Sequence, residues 1–324
     1  MQINFAILGP GSISRRFAKV LNTAEGVRLA AVASASSLER AENFAREFGA
    51  DSYYGSYEEL LRQPDIDAVY IGLTHNFHYD AIKLSLEHGK AVLCEKPMVT
   101  TEAEAKELTE MARSRGLLLM EAMWTRCLPA FRQAKQWIED GRIGTPHLVQ
   151  ASFSFNVPFD PEHRLYNPAL AGGGLFDAGV YPIEFASGML GENPSHVAGT
   201  LHYGSTGVDE MAAMSLAYPS GALASLSCGL RTKTDWDGRV YGSNGSVIVR
   251  DFLMTKRSEL YDTEGQLVDQ FDQDFADGFI YQIQHFLSLL EAGRIESDLI
   301  PHRDTVACAA VFDQLLSQNA PAVE

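Results

Sequence analysis

The run Ala91-Val92-Leu93-Cys94-Glu95-Lys96-Pro97 sets a carboxylate, an ammonium and a ring-locked proline directly behind four apolar residues. Those four read as a buried strand, and a charged pair at its end is costly to bury without a partner. In an open α/β sheet the carboxyl ends of the strands form the ligand edge. A ligand is therefore expected against Glu95 and Lys96.

A second motif suggests which ligand. Asn4-Phe5-Ala6-Ile7-Leu8 reads as a strand and runs through Gly9-Pro10-Gly11-Ser12-Ile13-Ser14 into Arg15–Leu21, which has helical spacing. Gly9 makes a tight turn. Gly11 lets the backbone approach a pyrophosphate, which sits on the amides of the helix start at Ser12 and Ile13. Ser14, in place of the usual third glycine, is small enough for close helix–strand packing. An ordinary strand-to-helix turn can share this spacing, but the strand–turn–helix context favours a dinucleotide.

The next strand, Arg28–Ala33, ends in Ser34-Ala35-Ser36-Ser37. A site for NAD usually carries Asp or Glu here to hold the ribose hydroxyls. Hydroxyls without a carboxylate suit a 2′-phosphate better, with Arg40, or Arg15 and Arg16, supplying positive charge. The sequence thus favours NADP(H) over NAD(H). Ser36 also begins a capping box, Ser36-Ser37-Leu38-Glu39, and both roles are compatible.

The elements that must position these residues follow from the pattern. Strands and helices alternate to about residue 121, with capping boxes at Ser56–Glu59 and Thr101–Glu104 and strands at Ala68–Gly72, Ala91–Cys94 and Leu117–Met120. Such alternation implies a parallel sheet covered by helices on both faces. After a helix near Ala130–Glu139 come longer strands at His147–Phe155, His196–Tyr203, Met211–Tyr218, Ala222–Gly229, Arg239–Gly242 and Val247–Asp251, with a hairpin signal at Asn244-Gly245. A helix around Phe176–Met189 and later ones at Gly278–Glu291 and Asp304–Ser317 complete the reading. The fold class expected is α/β: an N-terminal dinucleotide-binding domain over residues 1–121, then an α+β domain over 122–324 with a large, mostly antiparallel, open-faced sheet. One face of that sheet has no helix to cover it, and a homodimer through it is expected.

Composition limits the function. The chain has 324 residues, 46% hydrophobic and 21% charged, and its 26 basic against 42 acidic residues give a net charge of −16. That balance argues against nucleic acid or an anionic membrane as partner. No apolar run is long enough to span a bilayer, and no basic-then-apolar signal segment is present, so a cytoplasmic protein is expected. Cys94, Cys127, Cys228 and Cys308 are scattered, indicating neither a zinc site nor a disulfide framework. His75 and His78 lack ligand companions, so no metal is expected.

Gly9-Pro10-Gly11, Ala91–Met98 and Gly172-Gly173-Gly174-Leu175-Phe176-Asp177-Ala178-Gly179-Val180-Tyr181 together resemble the glucose-fructose oxidoreductase/inositol dehydrogenase family. Met120-Glu121-Ala122-Met123-Trp124-Thr125-Arg126 and Thr206-Gly207-Val208-Asp209-Glu210 resemble its dimeric dihydrodiol dehydrogenase branch. The resemblance implies a Rossmann domain followed by an open-faced sheet domain, an NAD(P)(H) cofactor, and a cis bond before Pro97. It also puts Tyr181 where this family carries a catalytic Tyr or His, and the Thr74-His75-Asn76-Phe77-His78 loop beside the nicotinamide and its ribose. The more usual Thr-Pro-Asn of the family is altered here to Thr74-His75-Asn76.

The residue types give that resemblance chemical content. Moving hydride to or from a carbinol carbon requires a general acid/base at its oxygen. Lys96 would favour the Tyr181 phenolate, or polarise a carbonyl. Asp177, four residues before Tyr181, would share its helix face and bind a substrate hydroxyl or pair with Lys96. Glu95 would hold the ribose or orient Lys96. Trp124 offers an apolar wall for a sugar face or an aromatic diol, Arg126 a bridge to cofactor or substrate, Arg164 and Tyr166 a closing loop, and Phe279 pocket lining. Each has a plainer reading: solvated lysine, helix-start aspartate, packing aromatic. Three functions are then open: an NADP-dependent alcohol or diol oxidoreductase acting on a sugar, polyol or trans-dihydrodiol; an enzyme that uses the hydride transiently to cleave or epimerise a sugar; or a non-catalytic nucleotide sensor. Net cofactor turnover separates the first two, and retention of Lys96 and Tyr181 speaks against the third.

Overall fold

A computed structural model describes residues 2–320. Along the chain the elements are β1 (Ile3–Leu8), α1 (Ser12–Leu21), β2 (Val27–Ala33), α2 (Leu38–Phe48), β3 (Ser52–Tyr54), α3 (Tyr57–Leu61), β4 (Ala68–Ile71), α4 (His78–Glu87), β5 (Ala91–Cys94), α5 (Glu102–Arg115), β6 (Leu119–Glu121), α6 (Pro129–Glu139), β7 (Pro146–Ser154), α7 (Val180–Leu190), β8 (His196–Tyr203), β9 (Asp209–Ala217), β10 (Leu223–Gly229), β11 (Gly238–Gly242), β12 (Gly245–Arg250), β13 (Arg257–Tyr261), β14 (Leu267–Asp272), α8 (Phe279–Glu291) and α9 (His302–Gln318). They group into two compact units. The first holds residues up to Val99, Ala103–Ala122 and Phe279–His302; the second holds Thr100–Glu102, Met123–Gly278 and the chain from Arg303.

The first unit is a six-stranded parallel sheet in the order β3-β2-β1-β4-β5-β6. This is the Rossmann arrangement, whose strand order reverses between β1 and β4. Every residue of β4 and β5 is buried, as expected where helices cover both faces. Ser56 caps α3 by accepting the Glu59 amide, and α2 is capped by Ser37 rather than Ser36, which leaves the Ser36 hydroxyl for other partners.

Two contiguous blocks meeting at 121/122 are expected from sequence, but the first unit is discontinuous. Helix α8 returns to it, burying Phe279, Ile283 and Phe286 at spacings of four and three residues. The Phe286 ring lies 5.5 Å from Phe5, Phe5 lies 5.8 Å from Phe17, and Phe17 stacks on Tyr70 at 3.7 Å.

The second unit is built on an eight-stranded sheet in the order β14-β13-β12-β11-β7-β10-β9-β8, antiparallel except where β10 runs parallel to β7. Helix α7 is buried on nearly all sides and packs on β7, β10 and β11. The Phe185 ring occupies the space that a side chain on Gly238 would need. Residues alternate in burial along β8, β9 and β10, with Ala198, Thr200, Ala213, Ser215, Leu223 and Ser225 exposed. Among the described residues no helix is long and apolar enough to cross a membrane.

Candidate active site

In the first unit the residues picked out by sequence converge on the carboxyl edge of the parallel sheet. Gly9 has φ +90°, and the Leu73 side chain fills the place a side chain there would take. Gly11 precedes α1 in extended conformation and caps it with no side chain, while no acidic residue stands in the first helical turn. The Ser14 hydroxyl donates to the Gly9 carbonyl at 2.6 Å and occupies the space a Cβ on Gly72 would need. Glycine at 72 and serine at 14 are thus a matched pair that brings α1 close to β4. Open amides at a helix start without a nearby carboxylate suit a pyrophosphate.

At the end of β2, Ser34 is buried with its Oγ 3.3 Å from Ser36 Oγ, which accepts from Arg40 Nη1 at 3.3 Å. Sequence leaves three arginines open for a phosphate here. The structure engages Arg15 with Glu47 and lays it over Phe44, and sets Arg16 4.1 Å over the Phe279 ring. Arg40 is the one beside the serines. Phe279, expected to line a substrate pocket, is a buried ring beneath Arg16.

Past β4, Thr74 Oγ1 donates to Asn76 Oδ1 at 2.7 Å. The His75 ring meets His78 edge-on at 5.8 Å. His78 is fully buried, and its Nδ1 lies 3.0 Å from the Pro97 carbonyl and its Nε2 3.1 Å from the Leu73 carbonyl. It sits between two edge loops, and burial pushes its imidazole below the ordinary range. The Lys96–Pro97 peptide is cis. Glu95 is buried and accepts the Tyr70 phenol at 2.6 Å; burial raises its carboxyl above the usual range, and that same burial, with the Glu95 charge, holds Tyr70 well above its own. Glu121, unassigned from sequence, accepts the Met98 amide at 2.9 Å and pins the turn that carries Lys96. A carboxylate closing an apolar strand was the signal available for Glu121, as it was for Glu95.

In the second unit Asp177 Oδ1 accepts from Arg164 Nη1 at 3.0 Å, bringing two of the expected residues together. Asp177 lies in a π-helical turn, Leu175–Gly179, rather than in the uniform α-helix expected across Phe176–Met189. Pro182 has no amide to give the Ala178 carbonyl, so a regular ladder could not run through this junction. Such turns recur at functional sites. Tyr181, the second residue of α7, is 8% exposed, its ring edge-on to Phe153 at 5.1 Å.

Three residues expected at the substrate are buried within the second unit. Tyr166 is buried in a small cluster with Leu165, Val208 and Leu230, and its phenol donates to the Val157 carbonyl at 2.8 Å. Trp124 is buried with its ring against Gly278. Arg126 lies between Glu184 at 2.7 Å and Asp304 at 2.8 Å, all three buried. Burial alone would depress its guanidinium pKa, but the two carboxylates raise it. Glu184, the lone charge in the apolar run of α7, was the sequence signal for a buried cation.

Comparison with known proteins covers both units. Residues 3–123 match the family model described as "Oxidoreductase family, NAD-binding Rossmann fold", and residues 131–248 match the GFO/IDH/MocA C-terminal domain. Trans-1,2-dihydrobenzene-1,2-diol dehydrogenase from Oryctolagus cuniculus is 34% identical over 318 residues, covering 95% of this chain and 96% of that protein. The Homo sapiens protein of the same name is 32% identical over 323 residues, covering 97% and 96%. A 3-ketoreductase from Actinomadura kijaniata, solved with NADP and TDP-benzene, superposes with a TM-score of 0.85 at 27% identity over 98% of both chains. An aldose-aldose oxidoreductase from Caulobacter crescentus shares the fold, with a TM-score of 0.88 at 24% identity over 98% of this chain and 97% of that one.

Removing Arg126 takes from two buried carboxylates the cation they share. Arg126→Ala is expected to lower unfolding stability by about 3–5 kcal/mol in urea titration, while the dissociation constant for the nicotinamide cofactor, read by fluorescence on folded protein, stays within about twofold.

Proposed function

Because the chain belongs to the Gfo/Idh/MocA family of NAD-binding oxidoreductases, we propose that it transfers hydride between a nicotinamide cofactor and a hydroxyl-bearing carbon of a sugar, polyol or trans-dihydrodiol. Full-length similarity to dihydrodiol dehydrogenases, spanning both units, carries this reading. Gly9, Gly11 and the amides of Ser12 and Ile13 would hold the pyrophosphate, and Thr74, His75 and Asn76 would border the nicotinamide ribose. Ser34, Ser36 and Arg40 would hold a 2′-phosphate, which supports NADP(H) over NAD(H). Bound nicotinamide supplies or accepts the hydride.

The chain's own groups handle the proton. Tyr181 donates it to, or takes it from, the substrate oxygen. An unperturbed phenol titrates near roughly 10, about three units above neutrality, and the Lys96 ammonium favours phenolate and polarises a carbonyl in the reductive direction. Asp177 binds a second substrate hydroxyl, its carboxylate oriented by Arg164. A polyhydroxylated small molecule is the partner this set suits.

We also propose a homodimer through the open face of the eight-stranded sheet. Its outward Ala198, Thr200, Ala213, Ser215 and Ser225 are short enough for a second sheet to approach closely, and Leu223 adds an exposed apolar side chain. Sedimentation at micromolar concentration is expected at twice the chain mass; a monomer would refute it.

A panel of sugars and diols assayed with NADP and NAD tests the activity. Stoichiometric NADPH change is expected on a good substrate, and product formed without it would favour the transient-hydride reaction. Tyr181→Phe and Lys96→Met are each expected to lower kcat by about 10²-fold or more; near-full turnover in Tyr181→Phe would remove Tyr181 from its role. Arg40→Ala is expected to raise KM for NADP by about tenfold and leave KM for NAD nearly unchanged, since one charge-assisted contact is worth about 1.5 kcal/mol or more. Equal effects on both cofactors would end the 2′-phosphate assignment.

A further inference from the structure

Asp209, in the stretch Thr206–Glu210 that sequence singled out, has no part in the chemistry above. It opens β9 with only 3% exposure. Its Oδ2 accepts the Leu175 amide at 2.6 Å, and the backbone at Gly174 and at Asp209 itself also favours the ionised carboxylate. Leu175 is the first residue of the π turn that carries Asp177 and runs into Tyr181. A helical turn leaves its first amides without partners, and a side chain just before it normally accepts them. Gly174 stands in that place with no side chain to offer.

We propose that Asp209 is a positioning residue that caps the Asp177–Tyr181 segment from a strand 34 residues away. This rests on the roles given to Asp177 and Tyr181 above. The glycines before the turn fit the same design. Gly173 has φ +125° and a side chain there would run into Asp209 Oδ1, while a Cβ on Gly174 would stand 3.3 Å from Oδ2. Only a bare backbone lets the carboxylate reach the amides. The turn is thereby fixed to the sheet, and with it the placement of Asp177 and the first turn of α7.

The groups around Asp209 do not offset its charge. Cys228 on β10 and Tyr203 on β8 feel its field, and burial first and Asp209 second push both pKa values up, so both stay neutral near pH 6. Glu210, next on β9, pairs with Arg231, and Asp177 pairs with Arg164. Burial raises the Asp209 carboxyl from 3.8 to about 6, against the pull of that backbone. Between those values the folded chain holds a proton that the unfolded chain has released, so stability falls as pH rises through this window. The ionised cap is kept despite that cost.

Asp209→Leu keeps the size and removes both acceptor oxygens, and Asp209→Asn, which keeps one acceptor oxygen, is the conservative control. Hydrogen exchange on the unliganded protein, corrected for intrinsic rates, is expected to show residues 173–181 protected at neutral pH in the wild type, to lose that protection in Asp209→Leu and to keep most of it in Asp209→Asn. Asp209→Leu should also run about tenfold or more slower, with KM for NADPH within about twofold, because small misplacements of reacting groups cost rate rather than cofactor affinity. Wild-type protection of the segment in Asp209→Leu overturns the proposal. If that variant does not fold, an unprotected Leu175 amide in the wild type overturns it alone. Loss of protection in Asp209→Leu together with full turnover in Tyr181→Phe would leave the cap standing and remove the role of Tyr181.

Discussion

A parallel strand that ends inside a protein leaves the next few amides and carbonyls without a ladder, and each must find another partner or bear a desolvation penalty. The architecture at the edge of the first unit answers that constraint. Ser14 serves the Gly9 carbonyl, the neutral His78 ring lies within reach of the Leu73 and Pro97 carbonyls and can donate to one of them, and Glu121 takes the Met98 amide. The turns that carry Gly9, Thr74 and Lys96 are therefore held by buried side chains behind them.

The second unit meets the same constraint at a helix start. A glycine-rich approach sacrifices local capping so that the backbone can press against β9, and Asp209 supplies the missing acceptor from across the sheet. Arg126, with Glu184 and Asp304, shows the other face of buried charge. There the ions satisfy one another and serve the unit's integrity, since loss of one member leaves the others exposed to an apolar interior.

What could be read from the sequence was what is local. The glycine turn, the Ser56 cap, the α/β alternation and the Lys96–Pro97 strand end all depend on residues within one turn of each other. Arg126, Trp124, Tyr166 and Phe279 carry both a ligand reading and a packing reading in sequence because Arg, Trp and Tyr serve binding sites and cores alike; their packing partners lie far off, 58 and 178 residues away for Arg126. Strands β13 and β14 escaped notice for another reason. Edge strand β14, with Asp269, Gln270 and Asp272 among exposed Leu267 and Val268, lacks the alternation that marks a half-buried strand. The π turn was invisible because its residues suit an α-helix, and only the placement of Pro182 hinted at a change of ladder.

The return of α8 to the first unit has a bearing on how the molecule is made. The ring that packs on Phe5 belongs to Phe286, so the aromatic cluster begun by β1 is closed by a helix that follows the eight-stranded sheet in sequence. On the ribosome, the nucleotide-binding half is an open core until that sheet has been synthesised. Its completion waits on the half that follows it, and a fragment ending at Ala122 would display Phe5 and its neighbours to water.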